Sequence, residues 1–392
     1  MRIGIDARFY GPIGKGLGRY TQEIVDNIIK MVDLSQVSVV VFLSPENFNE
    51  FSISHKNIKK IKIRMHWYSW QEQIFFPWFI WREKLDLIHY PHFNVPVFTP
   101  CRFVVTIHDL ILTHFPTTRA TTHSPLVYYF KNLAYRFVIK QAIKRSQKVI
   151  TVSNFTKNDI LEQFKIPEEK IVVTYEGVAN LHKGNDDSFS VKLNYQENNL
   201  VENVLKNDFL LYVGNAYPHK NLEFLLRVFK NIREIKPNLR LVLIGKEDYF
   251  YNKLRNFALS INLLKSNSED SPVVFADYVP DRQLLVFYQK ASAYIFPSLY
   301  EGFGLPPLEA MTQSCPVISA STSSLPEILG QAALYFNPKE EEELKKRVLE
   351  LLDNGSLRSE LINKGKEQIK KYSWEECARQ TFSVYEQALI KK

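Results

Sequence analysis

The 392-residue sequence is poor in cysteine: Cys101, Cys315 and Cys377 are the only three, and they lie far apart. Because there is no C-x-x-C pair, the sequence predicts neither a zinc site nor a framework of disulfide bonds. We therefore expect the reducing cytosol as its compartment. Low-complexity tracts and short internal repeats are also lacking, so a solenoid array is not expected.

No apolar run is long enough to cross a membrane. The densest run, Ile74–Trp81, contains Pro77 and is much shorter than the roughly 20 residues of a transmembrane helix. The N-terminal segment MRIGIDARFYG has Asp6 within its apolar stretch and predicts a strand rather than a signal peptide. We expect a cytoplasmic protein, either free in solution or peripheral on the membrane.

The composition is that of a globular protein, with 45% hydrophobic and 23% charged residues. The length is more than one ordinary domain needs and suits two. The net charge of +8 arises from 50 basic and 42 acidic residues. A basic protein attracts polyanions, which leaves nucleic acid, anionic lipid and phosphorylated ligands open as partners.

Short, β-branched apolar runs alternate with helical or polar segments, which indicates parallel sheets buried on both faces. The pattern dissolves around 181–207, which is polar and rich in asparagine and acidic residues, and restarts at Phe209–Val213. The sequence therefore predicts an α/β fold of two doubly wound domains. The predicted parts are an N-terminal Rossmann-like domain at 1–180, a linker at 181–207 and a C-terminal Rossmann-like domain at 208–372.

The segment Pro297–Met311, PSLYEGFGLPPLEAM, has the features of an anion-binding loop. It directly follows an apolar run, so it lies at the carboxyl end of a strand, where open parallel sheets bind ligands. Gly302 and Gly304 allow the backbone to approach a ligand closely. Two consecutive prolines mark a helix start, whose unpaired N–H groups and dipole suit a diphosphate.

Two carboxylates, Glu301 and Glu309, flank this loop with seven residues between them. A retaining glycosidase holds its carboxyl groups about 5–5.5 Å apart, whereas eight helical residues rise about 12 Å. We therefore expect the two to bind separate parts of one ligand, the helix carboxylate a ribose and the loop carboxylate a sugar. The alternative is a pair of solvent-facing acids on a capped helix.

Upstream, YVGNAYPHKN places Gly214 after the first strand of the second domain and Lys220 at the start of the next helix. A lysine in this position can neutralise a phosphate leaving group. The alternative is a solvated surface lysine, which the nearby glycine-rich loop argues against.

In the first half, GPIGKGLGRY at Gly11–Tyr20 is a weak dinucleotide fingerprint, because Arg19 replaces the third glycine of G-x-G-x-x-G. Gly16 is its best candidate for contact with a ligand, and a plain turn glycine is the alternative. His108 and Asp109 end a strand, where a histidine can contact sugar hydroxyls and an aspartate can orient it. The alternative for His108 is a histidine whose hydrogen bonds are satisfied within the core.

Histidines in the first half also raise the question of a metal ion. His89 and His92 could combine with His108 or His114, but no spacing among them is persuasive. A D-x-D motif, which holds a metal and a diphosphate together, is lacking as well. We expect no metal site.

Two segments combine aromatic and basic residues. Trp67–Lys84 carries four tryptophans, and Tyr128–Lys148 alternates basic and apolar residues at near-helical spacing. We expect both to be buried domain helices with basic outer faces. The alternative is a pair of interfacial helices that contact a membrane.

Taken together, these motifs resemble glycosyltransferase family 4, the retaining GT-B enzymes, over essentially the whole chain. The matching segments are EGFGLPPLE with FPS before it and CPVI after it, SSLPEI at Ser323–Ile328, VVTIHDL at Val104–Leu110 and TVSNFTKNDI at Thr151–Ile160. The resemblance implies two Rossmann-like domains facing a cleft. It also implies that the C-terminal helix, at 373–392, returns to the first domain.

The resemblance assigns roles by position. Those for donor binding are Glu309 for the ribose, Lys220 for the diphosphate, Glu301 with the backbone of Phe303, Gly304 and Leu305 for the sugar and phosphates, Val279 for the base, and Gly16 for the donor phosphate. Those for catalysis are Glu301, Lys220 and His108, with Asp109 as a sugar or acceptor contact.

One position departs from the family pattern. The family often has Gly-Arg where this sequence has Gly214-Asn215. Asn215 can hydrogen-bond a phosphate and is assigned to the donor site, but it cannot neutralise the charge. His219, next to Lys220, is a candidate for part of the missing charge.

The sequence therefore predicts a retaining hexosyltransferase of surface-polysaccharide or lipopolysaccharide assembly. Mannose from GDP-mannose is the favoured donor, because the first half most resembles mannosyltransferases. UDP-glucose or UDP-N-acetylglucosamine is the alternative. A glycan or lipid-linked glycan is the expected acceptor, with possible peripheral membrane contact and without nucleic acid, metal or other cofactor.

Two other classes compete with this prediction. A nicotinamide-dependent oxidoreductase would also have Rossmann-like halves, but the full glycine fingerprint is lacking. A non-catalytic protein that binds lipid or nucleic acid through a basic face would not need the donor motif of the second half.

Overall fold

The computed structural model describes residues 1–12, 15–116, 125–178, 207–264 and 271–390. The chain forms two compact units, Met1–Gly177 with Tyr372–Lys392, and Val178–Lys371. The predicted linker at 181–207 lies outside the described residues except for Asn207.

The first unit contains a seven-stranded sheet in which all neighbouring strands are parallel. Its strands are β1 (Arg2–Asp6), β2 (Ser38–Leu43), β3 (Ile58–Lys62), β4 (Leu87–Tyr90), β5 (Arg102–Ile107), β6 (Lys148–Thr151) and β7 (Ile171–Val173). The order across the sheet is β3-β2-β1-β4-β5-β6-β7. The direction in which strands are added therefore reverses between β1 and β4.

Within the described residues, five α-helices connect these strands: α1 (Lys15–Met31), α2 (Trp70–Arg82), α3 (Ile111–His114), α4 (Pro125–Arg145) and α5 (Asn154–Phe164). Phe76 of α2, Ile139 of α4 and Ile160 of α5 share one buried cluster with sheet residues such as Val105. These three helices therefore cover the same face of the sheet.

The outer sides of α2 and α4 carry exposed aromatic side chains, which our expectation of basic faces did not include. On α2, Trp70, Ile74, Trp78 and Trp81 are 50–68% exposed, and on α4, Tyr129, Phe130, Leu133 and Phe137 are 52–64% exposed. Each helix buries one side in the core and presents aromatic side chains on the other. No helix in the described ranges is both long and apolar enough to span a bilayer.

The second unit contains a six-stranded parallel sheet. Its strands are β8 (Phe209–Val213), β9 (Arg240–Ile244), β10 (Val273–Ala276), β11 (Ala293–Phe296), β12 (Val317–Ala320) and β13 (Ala333–Phe336). The order β10-β9-β8-β11-β12-β13 repeats that of the first six strands of the other sheet. It is the doubly wound order of Rossmann folds.

The helices of this unit are α6 (Leu222–Ile235), α7 (Tyr249–Ser260), α8 (Asp281–Lys290), α9 (Leu305–Thr312), α10 (Leu325–Leu329), α11 (Glu341–Asp353) and α12 (Gly355–Ile369). The strands that α6 connects are almost fully apolar because both faces of the sheet are covered. Together the two sheets confirm the predicted α/β fold.

The last helix, α13 (Trp374–Leu389), packs against α1 in the first unit, as predicted. Tyr385 Oη lies 2.6 Å from Nδ1 of His89, and Arg102 donates to the Leu389 carbonyl at 2.8 Å. Of its large apolar residues Phe382, Tyr385 and Leu389, only Tyr385 is fully buried. The buried stripe consists of Trp374, Cys377, Ala378, Thr381, Val384, Tyr385 and Ala388.

Candidate functional site

The two loops of the predicted donor site follow neighbouring strands of the second unit. β8 and β11 pair directly, with Leu210 opposite Ala293. The strand order reverses between them, so the loops at their carboxyl ends diverge and open a crevice. One loop leads through a short 3-10 helix, Pro218–Lys220, and the other is the segment that begins at Pro297.

Lys220 and Glu301 meet in this crevice. The Nζ of Lys220 donates to Oε1 of Glu301 at 2.6 Å, and the two side chains are only 13% and 10% exposed. The ammonium group also lies 5.4 Å from the ring centroid of Phe296. An ammonium has three N–H donors, and the contacts within the described residues use one of them. The pair therefore combines a cation that can take up an anion with a carboxylate that can accept from hydroxyl groups.

Two serines hold the loop that carries Glu301. The backbone N–H of Glu301 donates to Oγ of Ser323 at 2.9 Å. The Ser324 hydroxyl lies 3.0 Å from the Glu301 carbonyl and 3.2 Å from that of Phe303, and it can donate to either. Our sequence analysis noted this serine pair only as part of a matching motif and gave it no role.

Gly304 ends this loop and precedes helix α9. Its φ of +99° lies in the region that favours glycine, and a Cβ would stand 2.9 Å from Cδ2 of Leu325. Pro306 and Pro307 have no N–H, so Leu305 is the N–H donor among the first three residues of α9. The backbone conformation therefore favours glycine at 304, and a Cβ would also force the Leu325 side chain to shift.

Glu309 lies in the second turn of α9 and is half-buried. Burial raises the pKa of Tyr294 on β11 well above its usual value, and Tyr288, Glu309 and Glu301 raise it further. Both predicted donor-binding carboxylates therefore lie within electrostatic reach of one buried phenol.

The loop after β8 is held by its own polar groups. Oδ1 of Asn215 accepts from the Tyr217 N–H at 3.3 Å, and the carbonyl of His219 accepts from the Leu299 N–H at 2.7 Å. Burial, with a smaller effect of Lys220, lowers the pKa of His219 to about 4. His219 is therefore neutral at pH 7, and our expectation that it supplies positive charge is wrong.

Val279 lies in the loop between β10 and α8 and is half-buried. The strand β9 stands between β10 and β8. Since all these strands are parallel, Val279 is at the same edge of the sheet as Lys220, two strands from β8.

In the first unit, His108 follows β5 and both of its ring nitrogens are occupied. Nδ1 lies 3.0 Å from Oε1 of Glu176, and Nε2 lies 3.0 Å from the carbonyl of Pro91. Burial lowers the pKa of His108, but the hydrogen bond and charge of Glu176 outweigh it, and the net pKa is raised. A carbonyl only accepts, so Nε2 carries a proton, and the paired imidazole favours the cationic form. The neighbouring Asp109 accepts from the Ile111 N–H at 2.9 Å.

Gly16 and Gly18 play different parts in the first turn of α1. Gly16 is exposed, and a Cβ at this position would meet no atom within 4 Å. A Cβ on Gly18 would lie 2.1 Å from the Gly11 carbonyl oxygen. Packing therefore requires glycine at 18, and the missing side chain of Gly16 leaves space beside the helix.

The histidines considered as metal ligands have other partners. Nε2 of His89 lies 2.8 Å from the hydroxyl of Thr106, and burial lowers the pKa of His89 to about 3. His114 lies 2.9 Å from Asp159. In the described part of the chain, no group of three or more His, Cys, Asp or Glu residues is placed to hold a metal ion.

Two family models match the chain: "Glycosyltransferase Family 4" over residues 14–179 and "Glycosyl transferases group 1" over residues 194–368. An uncharacterised glycosyltransferase of Methanocaldococcus jannaschii is 30% identical over 308 residues, which cover 78% of this chain and 76% of that protein. The chain belongs to glycosyltransferase family 4.

Other similarities agree with this family 4 assignment. O-antigen chain mannosyltransferase B of Escherichia coli is 28% identical over 311 residues, covering 78% of this chain and 75% of that protein. Sucrose-phosphate synthase of Thermosynechococcus elongatus has the same fold, with a TM-score of 0.72 at 18% identity over 99% of this chain and 98% of that one. The protein is a glycosyltransferase, as the motif around Glu301 and Glu309 predicts.

Proposed function

We propose that this family 4 enzyme transfers mannose from GDP-mannose to a glycan or lipid-linked glycan, with retention of the anomeric configuration. The ion pair of Lys220 and Glu301 in the crevice between β8 and β11 supports the position of the donor site. The choice of mannose rests on the E. coli relative, an O-antigen chain mannosyltransferase.

In this proposal, each part of the donor has its own contact. Glu309 accepts from the ribose hydroxyls, and Lys220 exchanges part of its contact with Glu301 for the diphosphate. Glu301 then accepts from hydroxyls of the sugar. The N–H donors around Leu305 bind the phosphates together with Phe303 and Gly304, Asn215 adds its amide N–H, and the backbone at Val279 contacts the base.

The reaction then needs no metal ion and no separate protein base. The bond between the anomeric carbon and the diphosphate oxygen breaks, and the electron pair stays with the phosphate. The acceptor oxygen attacks from the same face, and its proton passes to that phosphate oxygen. Lys220 and the dipole of α9 stabilise the charge that develops on the leaving group. Because His108 is held by Glu176, it offers a ligand positive charge rather than a free base. We assign Gly16 to the donor phosphate and Asp109 to a sugar or acceptor contact.

The test is a transfer assay with GDP-mannose, UDP-glucose and UDP-N-acetylglucosamine, each with a lipid-linked glycan acceptor and with EDTA. We expect transfer from GDP-mannose alone, undiminished by EDTA, and an α-linked product by NMR. Transfer from a UDP-sugar instead would contradict the choice of donor. Loss of activity in EDTA that a divalent ion restores would contradict the metal-free mechanism, and a β-linked product would contradict retention.

A lipid-linked acceptor also needs access to a membrane, and the exposed side of α2 and α4 suits that contact. Arg136, Lys140 and Lys144 of α4 line a cavity of about 400 Å³ together with Lys165. None of these four cations forms an ion pair with another described residue, and the sequence of α4 contains no acidic residue. We propose that the aromatic side chains enter the interface of an anionic bilayer while these cations bind its headgroups.

Vesicle sedimentation tests this contact. We expect the protein to bind vesicles with anionic phospholipid and to bind neutral vesicles more weakly. Lys140→Glu with Lys144→Glu should lower binding to anionic vesicles, whereas Tyr249→Ser, at an exposed tyrosine of the second unit, should not. Equal binding of the charge-reversed and unmodified proteins would contradict the proposal.

A further inference from the structure

Three buried tyrosines surround the loop that leads from β8 to Lys220. Tyr212 on β8, Tyr251 on α7 and Tyr294 on β11 are each no more than 3% exposed. Their hydroxyls donate to three successive carbonyls: Tyr294 to Val213 at 3.2 Å, Tyr251 to Gly214 at 2.7 Å, and Tyr212 to Asn215 at 2.7 Å. We call these three residues the tyrosine clamp.

The clamp fixes which way the peptide groups of this loop face. The described chain has no cis peptide bond, and in a trans peptide the C=O of one residue points opposite to the N–H of the next. The held carbonyls of Gly214 and Asn215 therefore turn the N–H groups of Asn215 and Ala216 away from the tyrosines. Neither N–H has a hydrogen-bond partner among the described residues. The result is two adjacent donors, five and four residues before Lys220.

Two glycines make room for the clamp. At Gly214, where φ is +151°, a Cβ would lie 2.8 Å from the hydroxyl of Tyr212. At Gly245, a Cβ would lie 2.0 Å from the Gly214 carbonyl oxygen and 2.4 Å from the hydroxyl of Tyr251. Both positions are therefore occupied by glycine because the tyrosine hydroxyls and the carbonyls they hold need the space. Gly214 has this packing role whether or not a ligand approaches it.

We propose that Tyr212, Tyr251 and Tyr294 are positioning residues for the donor diphosphate, which they act on by aiming the N–H groups of Asn215 and Ala216 at it. Successive N–H groups that face one side form an anion-binding concavity. Here they take over part of the work of the arginine that many family members have at position 215, and which this chain lacks. The proposal rests on the proposed function, because it requires a nucleoside diphosphate at Lys220.

Removal of one hydroxyl tests the clamp. In Tyr251→Phe, the Gly214 carbonyl loses its donor and its peptide is free to rotate. One hydrogen bond changes an equilibrium constant by a net factor of about 2 to 13. We therefore expect GDP to bind to this variant roughly three- to tenfold more weakly. Guanosine, which has no phosphate, should bind as it does to the unmodified protein. Tyr294→Phe is the second variant, with a smaller expected effect because its hydrogen bond is longer.

Tyr335→Phe is the matched control. The Tyr335 hydroxyl also donates to a glycine carbonyl of this unit, Gly330, at 2.6 Å, but on a different loop. The control should lose as much thermal stability as Tyr251→Phe and keep its affinity for GDP. A loss confined to the phosphates separates positioning from a general weakening of the fold, which would affect guanosine and GDP alike.

The two proposals fail in different ways. If the unmodified protein binds GDP and Tyr251→Phe binds it equally well, or loses GDP and guanosine affinity by the same factor, the clamp is overturned and the donor site stands. If the unmodified protein binds neither GDP nor UDP, the proposed function and the clamp fall together.

Discussion

The two sheets share a strand order but use charge differently at their carboxyl ends. In the first unit, Arg8 follows β1 and is 1% exposed. Its Nε and Nη2 donate to the two oxygens of Asp6 at 2.7 Å, and Nη2 also donates to Glu72 of α2 at 2.5 Å. In the second unit, the carboxylate partner of Lys220 among the described residues is Glu301, beside a crevice.

This difference shows that topology provides a place for a site and side chains decide whether one forms there. The charges around Arg8 serve the fold, because Arg8 joins α2 to the sheet and Asn94 donates to both oxygens of Glu72. The aromatic outer side of α2 is oriented by that buried anchor. In the second unit, a cation near the surface can exchange its partner for a ligand.

The largest expected effect on stability is at Arg8. Arg8→Met leaves the carboxylates of Asp6 and Glu72 buried without their cation, and loss of one partner from a buried pair costs about 3–5 kcal/mol. We expect the free energy of unfolding in urea to fall by that amount, with GDP affinity unchanged in the folded fraction. Arg379→Ala, which removes an exposed ion pair with Glu376, should leave the unfolding midpoint where it is. Equal stability of both variants would show that the buried network is not what holds α2.

Lys220 should show the opposite behaviour. Lys220→Ala removes the charge that stabilises the leaving diphosphate, and loss of one preorganised group of this kind lowers turnover by about 10²–10³-fold. The unfolding free energy should fall by less than in Arg8→Met, because Lys220 and Glu301 keep some exposure to solvent. The control is Lys236→Ala, whose exposed ion pair with Asp353 lies in the same unit. Near-normal turnover of Lys220→Ala would move the role to another group.

The prediction for Glu309 concerns the affinity for GDP. Glu309→Ala removes the proposed acceptor for ribose hydroxyls, and hydrogen bonds to charged groups contribute about 1.5–3 kcal/mol each. We expect GDP to bind at least tenfold more weakly by calorimetry. Glu342→Ala, at an exposed position of α11, should bind GDP normally. Unchanged affinity in Glu309→Ala would contradict the ribose assignment.

In the first sheet, apolar runs predicted the five inner strands, and both edge strands were missed. The edge strand β3, IKKIK, exposes its lysines and so lacks a continuous apolar run. The other edge strand, β7, has only three residues. The exposed aromatic residues of α2 and α4 were missed because apolar residues are spread around each helix, so their spacing gives no clear sign of which side is buried.

For the site, spacing identified residues but not their partners. The motifs placed Lys220 and Glu301 at loop positions, yet their contact joins residues 81 apart in the chain. The tyrosine clamp was missed for the same reason, since Tyr251 lies 37 residues from Gly214 and Tyr294 lies 81 from Val213. From sequence alone, a tyrosine that only packs in the core cannot be told from one whose hydroxyl holds a particular carbonyl.

The smallest expected effect is at His108, where one ion pair with Glu176 links stability to pH. The pKa of His108 is raised in the folded protein above the ordinary value of 6.5. The folded state therefore holds the proton more tightly, so the stabilisation is fully present below about pH 6.5 and is lost as pH rises through the folded pKa. In His108→Gln, the unfolding free energy should lose this dependence on pH, while the variant keeps a polar side chain at the end of β5.

The measurement is the difference in unfolding free energy between the unmodified protein and His108→Gln from pH 6 to pH 9. We expect this difference to be largest at the acid end and to shrink as pH rises. Burial, with a smaller effect of the His108 charge, lowers the pKa of His89 to about 3, and the burial is the same in both proteins, so most of the His89 contribution cancels in the difference. A difference that stays constant or grows with pH would show that His108 is neutral in the folded protein. The carboxyl end of the first sheet would then hold an uncharged histidine at position 108. Its contrast with the carboxyl end of the second sheet would rest on Arg8 alone.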